Sequence, residues 1–545
     1  MAQSNAKTID DLLKRYHQYG QFNGTVLVAE KGKVIYDQGF GMANIEWSIP
    51  NQPDTKFRIA SVTKQFTAAL VLQLVEEGKL RLEGTIVDYL PEYRKDTGSR
   101  VTIRQLLNHT SGIPDYKDVD RNPYSAAEFV KRYVSGDLEF EPGTKYRYSN
   151  GGYSLLGAVI EKVTGKSYET LLTERILKPL GMTNTGFENN AAILQKRASG
   201  YERGPDGYIR ADYIDMRIPY AAGSIYSTVD DLYKWDQSLY QDKILSKQSK
   251  TTMFSPGLSG YGYGIRITDD TLGTSGQKAK VIWHAGGIKG FNSVLSRAVD
   301  KQQTVIILDN GSHGVYDLKI ANSILAILNR LPFEGPKRSI SDALYKTALE
   351  KGAEAAILEY RTLKAEKPTE FDFSEDELTT LGYRLVGLKR NKDAIEIFRL
   401  NTEIFPTSSS AFDSLAETYL ADGQKEVALG AYKKAAALDP ANSNAILAIK
   451  QLEGKKITID PSTFDAYVGE YQIAPNVTLT ITKENDKLFG QLTRQEKLAV
   501  EPVSETQFTI PAVKANISFE RDASGKVTGL ILSQGTRTAN AKKIR

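Results

Sequence analysis

Ser61-Val62-Thr63-Lys64 heads a run from Val62 to Leu80 in which Phe66, Ala69, Leu70, Leu72, Leu74 and Val75 recur at helical spacing. That period predicts an amphipathic helix, and Gly78-Lys79 supplies its stop. Residues three apart on a helix share a face, so Lys64 can reach the Ser61 hydroxyl. The helix start brings backbone N–H groups and a partial positive charge beside that hydroxyl. Serine is a weak nucleophile until a base takes its proton. A lysine keeps its own proton up to about pH 10.4 unless burial or a nearby cation favours the neutral amine. The same S-x-x-K spacing occurs at Ser4–Lys7 and Ser275–Lys278, where no comparable helix is expected, and both read as surface positions. On the motif alone, Ser61 serves equally well as a helix cap.

Working outward, Gly24-Thr25-Val26-Leu27-Val28-Ala29 reads as a strand. Lys33-Val34-Ile35-Tyr36 is its hairpin partner across Glu30-Lys31-Gly32. Val294-Leu295-Ser296-Arg297 and Gln303-Thr304-Val305-Ile306-Ile307-Leu308 read as strands again. Strands at both ends with helices between predict an antiparallel sheet flanked by helices, with a helical subdomain, over residues 8–335. Leu331-Pro332-Phe333-Glu334-Gly335-Pro336 reads as a linker. Residues 340–453 are rich in Ala, Leu, Glu and Lys and read as all helix. Within them Leu381, Ala394, Phe398 and Pro406 are matched 34 residues later by Leu415, Ala428, Tyr432 and Pro440. That period, closed by proline, is a tetratricopeptide-like signature, and the stretch Ala343–Lys364 reads as a degenerate third unit. So short an array is expected to pack on another domain of the chain or, through a protein partner or self-association, on another subunit. Residues 461–545 alternate apolar and polar side chains, as in Val477-Thr478-Leu479-Thr480-Ile481, Phe508-Thr509-Ile510 and Ile517-Ser518-Phe519. With turns at Glu484-Asn485-Asp486-Lys487 and Ser524-Gly525-Lys526, they predict a small antiparallel β domain. The fold class is therefore multidomain: α+β, then α-helical repeats, then β.

The bulk composition narrows the functions available. The chain has 545 residues, too many for one compact core. Its 70 basic and 66 acidic residues nearly balance, and no basic run marks a nucleic-acid binder. With no cysteine, thiolate catalysis, disulfides and zinc–thiolate sites are excluded. The four histidines, His17, His109, His284 and His313, show no metal-ligand spacing. No apolar run reaches the roughly 20 residues of a membrane span. The start, Met1-Ala2-Gln3-Ser4-Asn5, has neither a charged n-region nor an apolar h-region.

Two further motifs lie downstream. Tyr148-Ser149-Asn150, followed by Gly151-Gly152, offers a phenol that, with a lowered pKa, can exchange protons, and an amide that can donate to a substrate carbonyl. His284-Ala285-Gly286-Gly287 follows the apolar Val281-Ile282-Trp283 and reads as an edge strand whose glycines let a ligand backbone approach. His284 is expected to donate toward Tyr148 or a substrate carboxylate. Either motif alone is unremarkable in a chain with 29 tyrosines.

Taken in order, S-x-x-K, Y-x-N and H-x-G resemble the serine β-lactamase-like superfamily. The nearest branch by motif holds class C β-lactamases, D-alanyl-D-alanine carboxypeptidases, D-aminopeptidases and the related esterases. Arg104-Gln105-Leu106-Leu107-Asn108-His109-Thr110-Ser111-Gly112-Ile113-Pro114, Ala222-Gly223-Ser224-Ile225-Tyr226-Ser227-Thr228 and Gly286-Gly287-Ile288-Lys289-Gly290-Phe291 are similar to other stretches of that family. The resemblance covers residues 8–330. It implies Ser61 as nucleophile and Lys64 and Tyr148 sharing general-base duty. Asn150 and His284 would contact substrate, and backbone N–H groups of Ser61 and Gly287, beside Gly286, would form the oxyanion hole. No metal or organic cofactor is called for. Class C β-lactamases usually carry K-T-G where this chain has His284-Ala285-Gly286, and histidine there is more typical of the peptidase and esterase branches. The resemblance thus implies a peptidase or esterase acting on a small-molecule or peptide substrate, D-Ala peptides and D-amino acid derivatives foremost. A β-lactamase and a penicillin-binding sensor are the alternatives. It also implies work in the periplasm or outside the cell, the polar start then being a processed end.

Overall fold

The computed structural model describes residues 2–544 except 117–118, 120–123, 205–206, 441, 454–460, 475–476, 485–486, 494, 503–505, 511–512, 514, 523–524 and 535–536. The turns expected at Asn485-Asp486 and at Ser524 lie outside the described residues. The chain divides into two compact units, residues 1–338 and 339–545.

The first unit is built on a six-stranded sheet. Its strands are β1 (Gly24–Glu30), β2 (Lys33–Phe40), β3 (Arg266–Thr271), β4 (Lys278–Ile288), β5 (Phe291–Ala298) and β6 (Gln303–Asp309), in the order β3-β4-β5-β6-β1-β2. Neighbours are antiparallel throughout, and Gly24 of β1 pairs with Asp309 of β6. The β1–β2 hairpin turns through Lys31 (φ 51°) and Gly32 (φ 74°), two consecutive left-handed residues that match the twist of the strands they join. In the adjacent strands β1 and β6 both faces are buried. Leu27, Ala29, Ile306 and Leu308 point into one core, and Val26, Val28, Val305 and Ile307 into the other. This two-sided burial explains why β1 and β6 read as continuous apolar runs. The second core is closed by helix α1 (Ala2–Gln18), through Ile9, Leu12, Leu13 and Tyr16, and by a helix over Gly314–Leu328.

Against the other face lies a helical layer centred on α2 (Thr63–Glu76) and α3 (Asn150–Thr164). The sequence reading of α2 as a one-sided amphipathic helix is corrected here. Thr63 through Leu72 are buried all round, including Thr63, Lys64, Gln65 and Thr67. Its polar side chains therefore face interior partners: Thr67 donates to the Ala221 carbonyl at 2.6 Å, and Gln65 accepts from the Trp235 indole at 2.9 Å. Ser4 and Lys7, read as surface positions, lie within α1 with both side chains exposed. The expected linker is not a free tether either. Leu331 and Phe333 pack on the second core, and the Pro332 carbonyl accepts from Thr274 N–H.

Among the described residues of the second unit, seven helices follow one another from Ile340 to Leu452, around a shared core. Leu381, Ala394 and Phe398 are buried there, and so are Leu415, Ala428 and Tyr432. Pro406 and Pro440 each stand two residues beyond a helix, Asn391–Ile404 and Lys425–Leu438. The remaining strands, from Gly469–Ala474 to Arg537–Lys543, form a closed eight-stranded antiparallel barrel around Tyr467, Tyr471, Phe508 and Phe519. Among the described residues no helix is long and apolar enough to cross a membrane.

Candidate active site

A short strand pair fixes the position of Ser61. Phe57 pairs with Ser227 and Arg58 with Tyr226, and Ile59 N–H donates to the Ile225 carbonyl at 3.0 Å. Arg58 is clamped by the buried carboxylate of Glu188 at 2.7 Å. Ala60 then enters the left-handed region, φ 45°. This conformation costs a residue with a side chain on the order of 1 kcal/mol and must be held by its surroundings. Ser293 Oγ helps by donating to the Ile59 carbonyl at 2.7 Å. A single turn, Ala60–Val62, carries the half-buried Ser61 into α2.

Lys64, one turn on, is wholly buried. Its Nζ lies 3.1 Å from Ser61 Oγ, 2.8 Å from Asn150 Oδ1 and 2.9 Å from the Ala222 carbonyl oxygen. It stands 4.8 Å from the centre of the Tyr148 ring and 5.5 Å from that of Tyr153. Burial brings its pKa down to about 7, opposed by the Asp115 carboxylate. Near neutrality a substantial share of Lys64 is therefore a free amine beside a serine hydroxyl, as a general base requires.

Tyr148 and Asn150 arrive together at the start of α3, where Ser149 caps the helix by accepting from Gly152 N–H at 3.1 Å. The Tyr148 hydroxyl is shielded from solvent and faces Ser61. The expectation that its phenol is acidified is corrected. Burial drives its pKa well above the ordinary value, with Ser61 and Arg266 pulling the other way, so the group stays protonated. Its ring lies 4.2 Å from that of His109. His109 Nδ1 accepts from Ser149 N–H at 3.2 Å, which leaves the ring proton on Nε2, itself buried without a partner. Burial and Lys64 hold this histidine neutral.

His284 is close by, its ring 6.2 Å from that of Tyr148, but it is arranged otherwise than expected. Its Nδ1 donates to the Ala285 carbonyl at 2.6 Å, so Nε2 accepts the Tyr261 hydroxyl proton at 2.8 Å. Burial and Lys64 push it down to about 3. Neither ring nitrogen remains to donate to Tyr148 or to a substrate carboxylate. The edge-strand reading is half corrected. β4 lies inside the sheet, but β3 pairs only with Lys278 to Trp283, leaving His284–Ile288 paired with β5 alone. Along that stretch Gly286 presses on the nucleophile turn. A Cβ there would lie 2.3 Å from the Ile59 carbonyl oxygen and 3.0 Å from Ser61 N. Gly287 is exposed next to it.

The structure thus brings Ser61, Lys64, Tyr148, Asn150, His284, Gly286 and Gly287 to one place. It adds four residues the motifs did not mark. His109 and Asp115 belong to the stretch around Ser111-Gly112-Ile113-Pro114, whose resemblance to the family was a signal that could have found them. Tyr261 and Arg266 have no sequence signal. The Arg266 guanidinium sits 5.6 Å from the Tyr261 ring centre and 5.7 Å from that of Tyr146. Among the described residues no group of three His, Asp or Glu is placed to hold a metal ion.

Residues 6–329 match the Beta-lactamase family model, and residues 453–543 match the Domain of unknown function (DUF3471). Penicillin-binding protein 4* of Bacillus subtilis (strain 168) is 32% identical over 366 residues, covering 62% of this chain and 79% of that protein. The crystal structure of D-amino acid amidase from Ochrobactrum anthropi SV3 is similar at 25% identity with a TM-score of 0.51, over 60% of this chain and 99% of that one. The octameric penicillin-binding protein homologue from Pyrococcus abyssi, at 19% identity and a TM-score of 0.52, covers 98% of this chain and 99% of its own, a likeness of fold.

Proposed function

Since the chain belongs to the Beta-lactamase family, we propose that it is a serine hydrolase working through an acyl-enzyme on Ser61. Its substrates are small amides or esters, with D-amino acid amides and D-Ala peptides first among them. The observation that carries this reading is the buried Lys64 amine 3.1 Å from Ser61 Oγ.

In the first step Ser61 Oγ bonds to the substrate carbonyl carbon as its proton passes to Lys64 Nζ. The carbonyl oxygen takes the negative charge and is met by the N–H groups of Ser61 and Gly287. Loss of one such donor typically costs about 10²–10³ in rate. The Tyr148 phenol gives its proton to the departing amine or alkoxide and is recharged from the Lys64 ammonium. The C–N or C–O bond breaks, leaving the acyl-serine. Water then attacks, its proton passing to the same pair, and Ser61 leaves reprotonated as the acid is released. The raised pKa of Tyr148 suits it to donate rather than to act as the resting base. The third motif reads His284-Ala285-Gly286 in place of the K-T-G usual in class C β-lactamases, which favours amides and esters over β-lactams. The resemblance of the solved D-amino acid amidase supports the same choice.

The test is turnover of D-phenylalanine amide, a D-Ala-D-Ala peptide, p-nitrophenyl acetate and nitrocefin by the intact protein and by Ser61→Ala. Turnover of an amide or ester that Ser61→Ala abolishes is expected. A stable acyl-enzyme with no turnover of any of the four would instead make the protein a penicillin-binding sensor.

We also propose that residues 340–453 are tetratricopeptide-like repeats. The equivalent burial of Ala394 and Ala428, and of Phe398 and Tyr432, supports this.

A further inference from the structure

Lys64 Nζ has three hydrogen-bond neighbours: Ser61 Oγ, Asn150 Oδ1 and the Ala222 carbonyl oxygen. As an ammonium it donates to all three. As an amine it has two N–H bonds and one lone pair, and only the amine is a base. The lone pair must face a neighbour able to donate. A backbone carbonyl cannot. The Ser61 hydroxyl can, and so could Asn150 if its amide turned its NH₂ inward. In that orientation the lone pair would be taken by Asn150, and Ser61 would face an N–H that cannot accept its proton. The orientation of one amide therefore decides whether Lys64 can act on Ser61.

Asp115 sets that orientation. Its Oδ2 accepts from Asn150 Nδ2 at 3.0 Å, and its Oδ1 accepts from Gly151 N–H at 2.9 Å and from Tyr116 N–H at 3.2 Å. A carboxylate can only accept. It draws the Asn150 NH₂ to itself, and the amide oxygen is left facing Lys64 at 2.8 Å.

We propose that Asp115 is a positioning residue that locks the Asn150 amide, and by doing so aims the Lys64 lone pair at Ser61. The inference rests on the acyl-enzyme reading above and adds a residue and a device to it. Asp115 also has an electrostatic effect of opposite consequence, because its charge favours the Lys64 ammonium against the effect of burial. An Asp115→Asn variant has one carbonyl oxygen for the donors at Asn150 and Gly151, and its own NH₂ meets one of them. The Asn150 amide then turns or loses its partner, while Lys64 loses a nearby negative charge. Two effects are expected together: slower acylation on the high-pH plateau, and an acid limb moved to lower pH.

The experiment follows the rate of Ser61 modification by a fluorophosphonate between about pH 5 and 9, on the full chain, for wild type, Asp115→Asn and Asp115→Glu. If wild-type Ser61 is not labelled, the acyl-enzyme reading fails, and this inference falls with it. With wild type labelled, the inference expects the Asp115→Asn plateau to drop by about tenfold or more and its acid limb to move down. Asp115→Glu, which restores the carboxylate, should return the limb to the wild-type position and recover part of the plateau. A slowed Asp115→Asn with an unmoved limb would reduce Asp115 to a structural role and overturn the proposal, as would an unchanged profile. If Asp115→Asn does not fold, Asp115→Glu decides. A wild-type limb with a lowered plateau supports the inference, and a shifted limb or an unchanged plateau overturns it.

Discussion

A lysine buried without a counter-charge in contact leaves a mark on stability as well as on chemistry. Unfolded, Lys64 binds its proton up to the ordinary value of 10.5; folded, it releases it near 7. Between those values the unfolded chain holds more protons, so stability rises with pH through the window. Below about 7 both states are protonated and the full penalty of the buried charge applies. Lys64→Met abolishes this dependence. The unfolding free energy of wild type relative to Lys64→Met should rise by about 1.4 kcal/mol per pH unit above 7, levelling off as pH 10.5 is approached. A pH-independent difference would mean that the folded protein does not depress Lys64. At this scale the sequence was legible for Ser61 and Lys64 because both sit one turn apart at a helix start. It was not legible for the state of Tyr148 or His284. His284 is fixed by the Tyr261 hydroxyl and by the carbonyl of its neighbour Ala285, and both groups are governed by burial, which depends on chain segments far apart in sequence.

The strand β4 joins site to scaffold, because its Gly286 lies against the backbone of Ile59 and Ser61. A methyl group there meets a carbonyl oxygen at 2.3 Å, and backbone cannot step aside as a flexible side chain does. Gly286→Ala should push the strand from the nucleophile turn and spoil the alignment of the Ser61 and Gly287 N–H groups. The expected result is a loss of about 10²-fold or more in acylation rate with the protein still folded. Acylation within a few-fold of wild type would show that this approach is not needed. Elements with an unbroken period were readable, such as β1, β6 and α2. Even there, the all-round burial of α2 was hidden, because Thr63, Gln65 and Thr67 look like a solvent face until Trp235 and the Ala221 carbonyl are folded against them. Only three of the barrel's eight strands stood out, since such short alternating segments carry a weak signal.

At the scale of the molecule, every residue of the proposed site and both cores that hold it lie within residues 1–338. A chain ending at 338 should therefore fold and modify Ser61 with a small activated ester at a rate close to that of the intact protein. Loss of folding or of that reactivity would show that the second unit completes the first. Intact-mass and peptide mass spectrometry after fluorophosphonate treatment decide whether Ser61 is the nucleophile. One adduct is expected on the peptide holding Ser61, and none in Ser61→Ala. An adduct on another residue, or labelling of Ser61→Ala at the wild-type rate, would contradict that assignment.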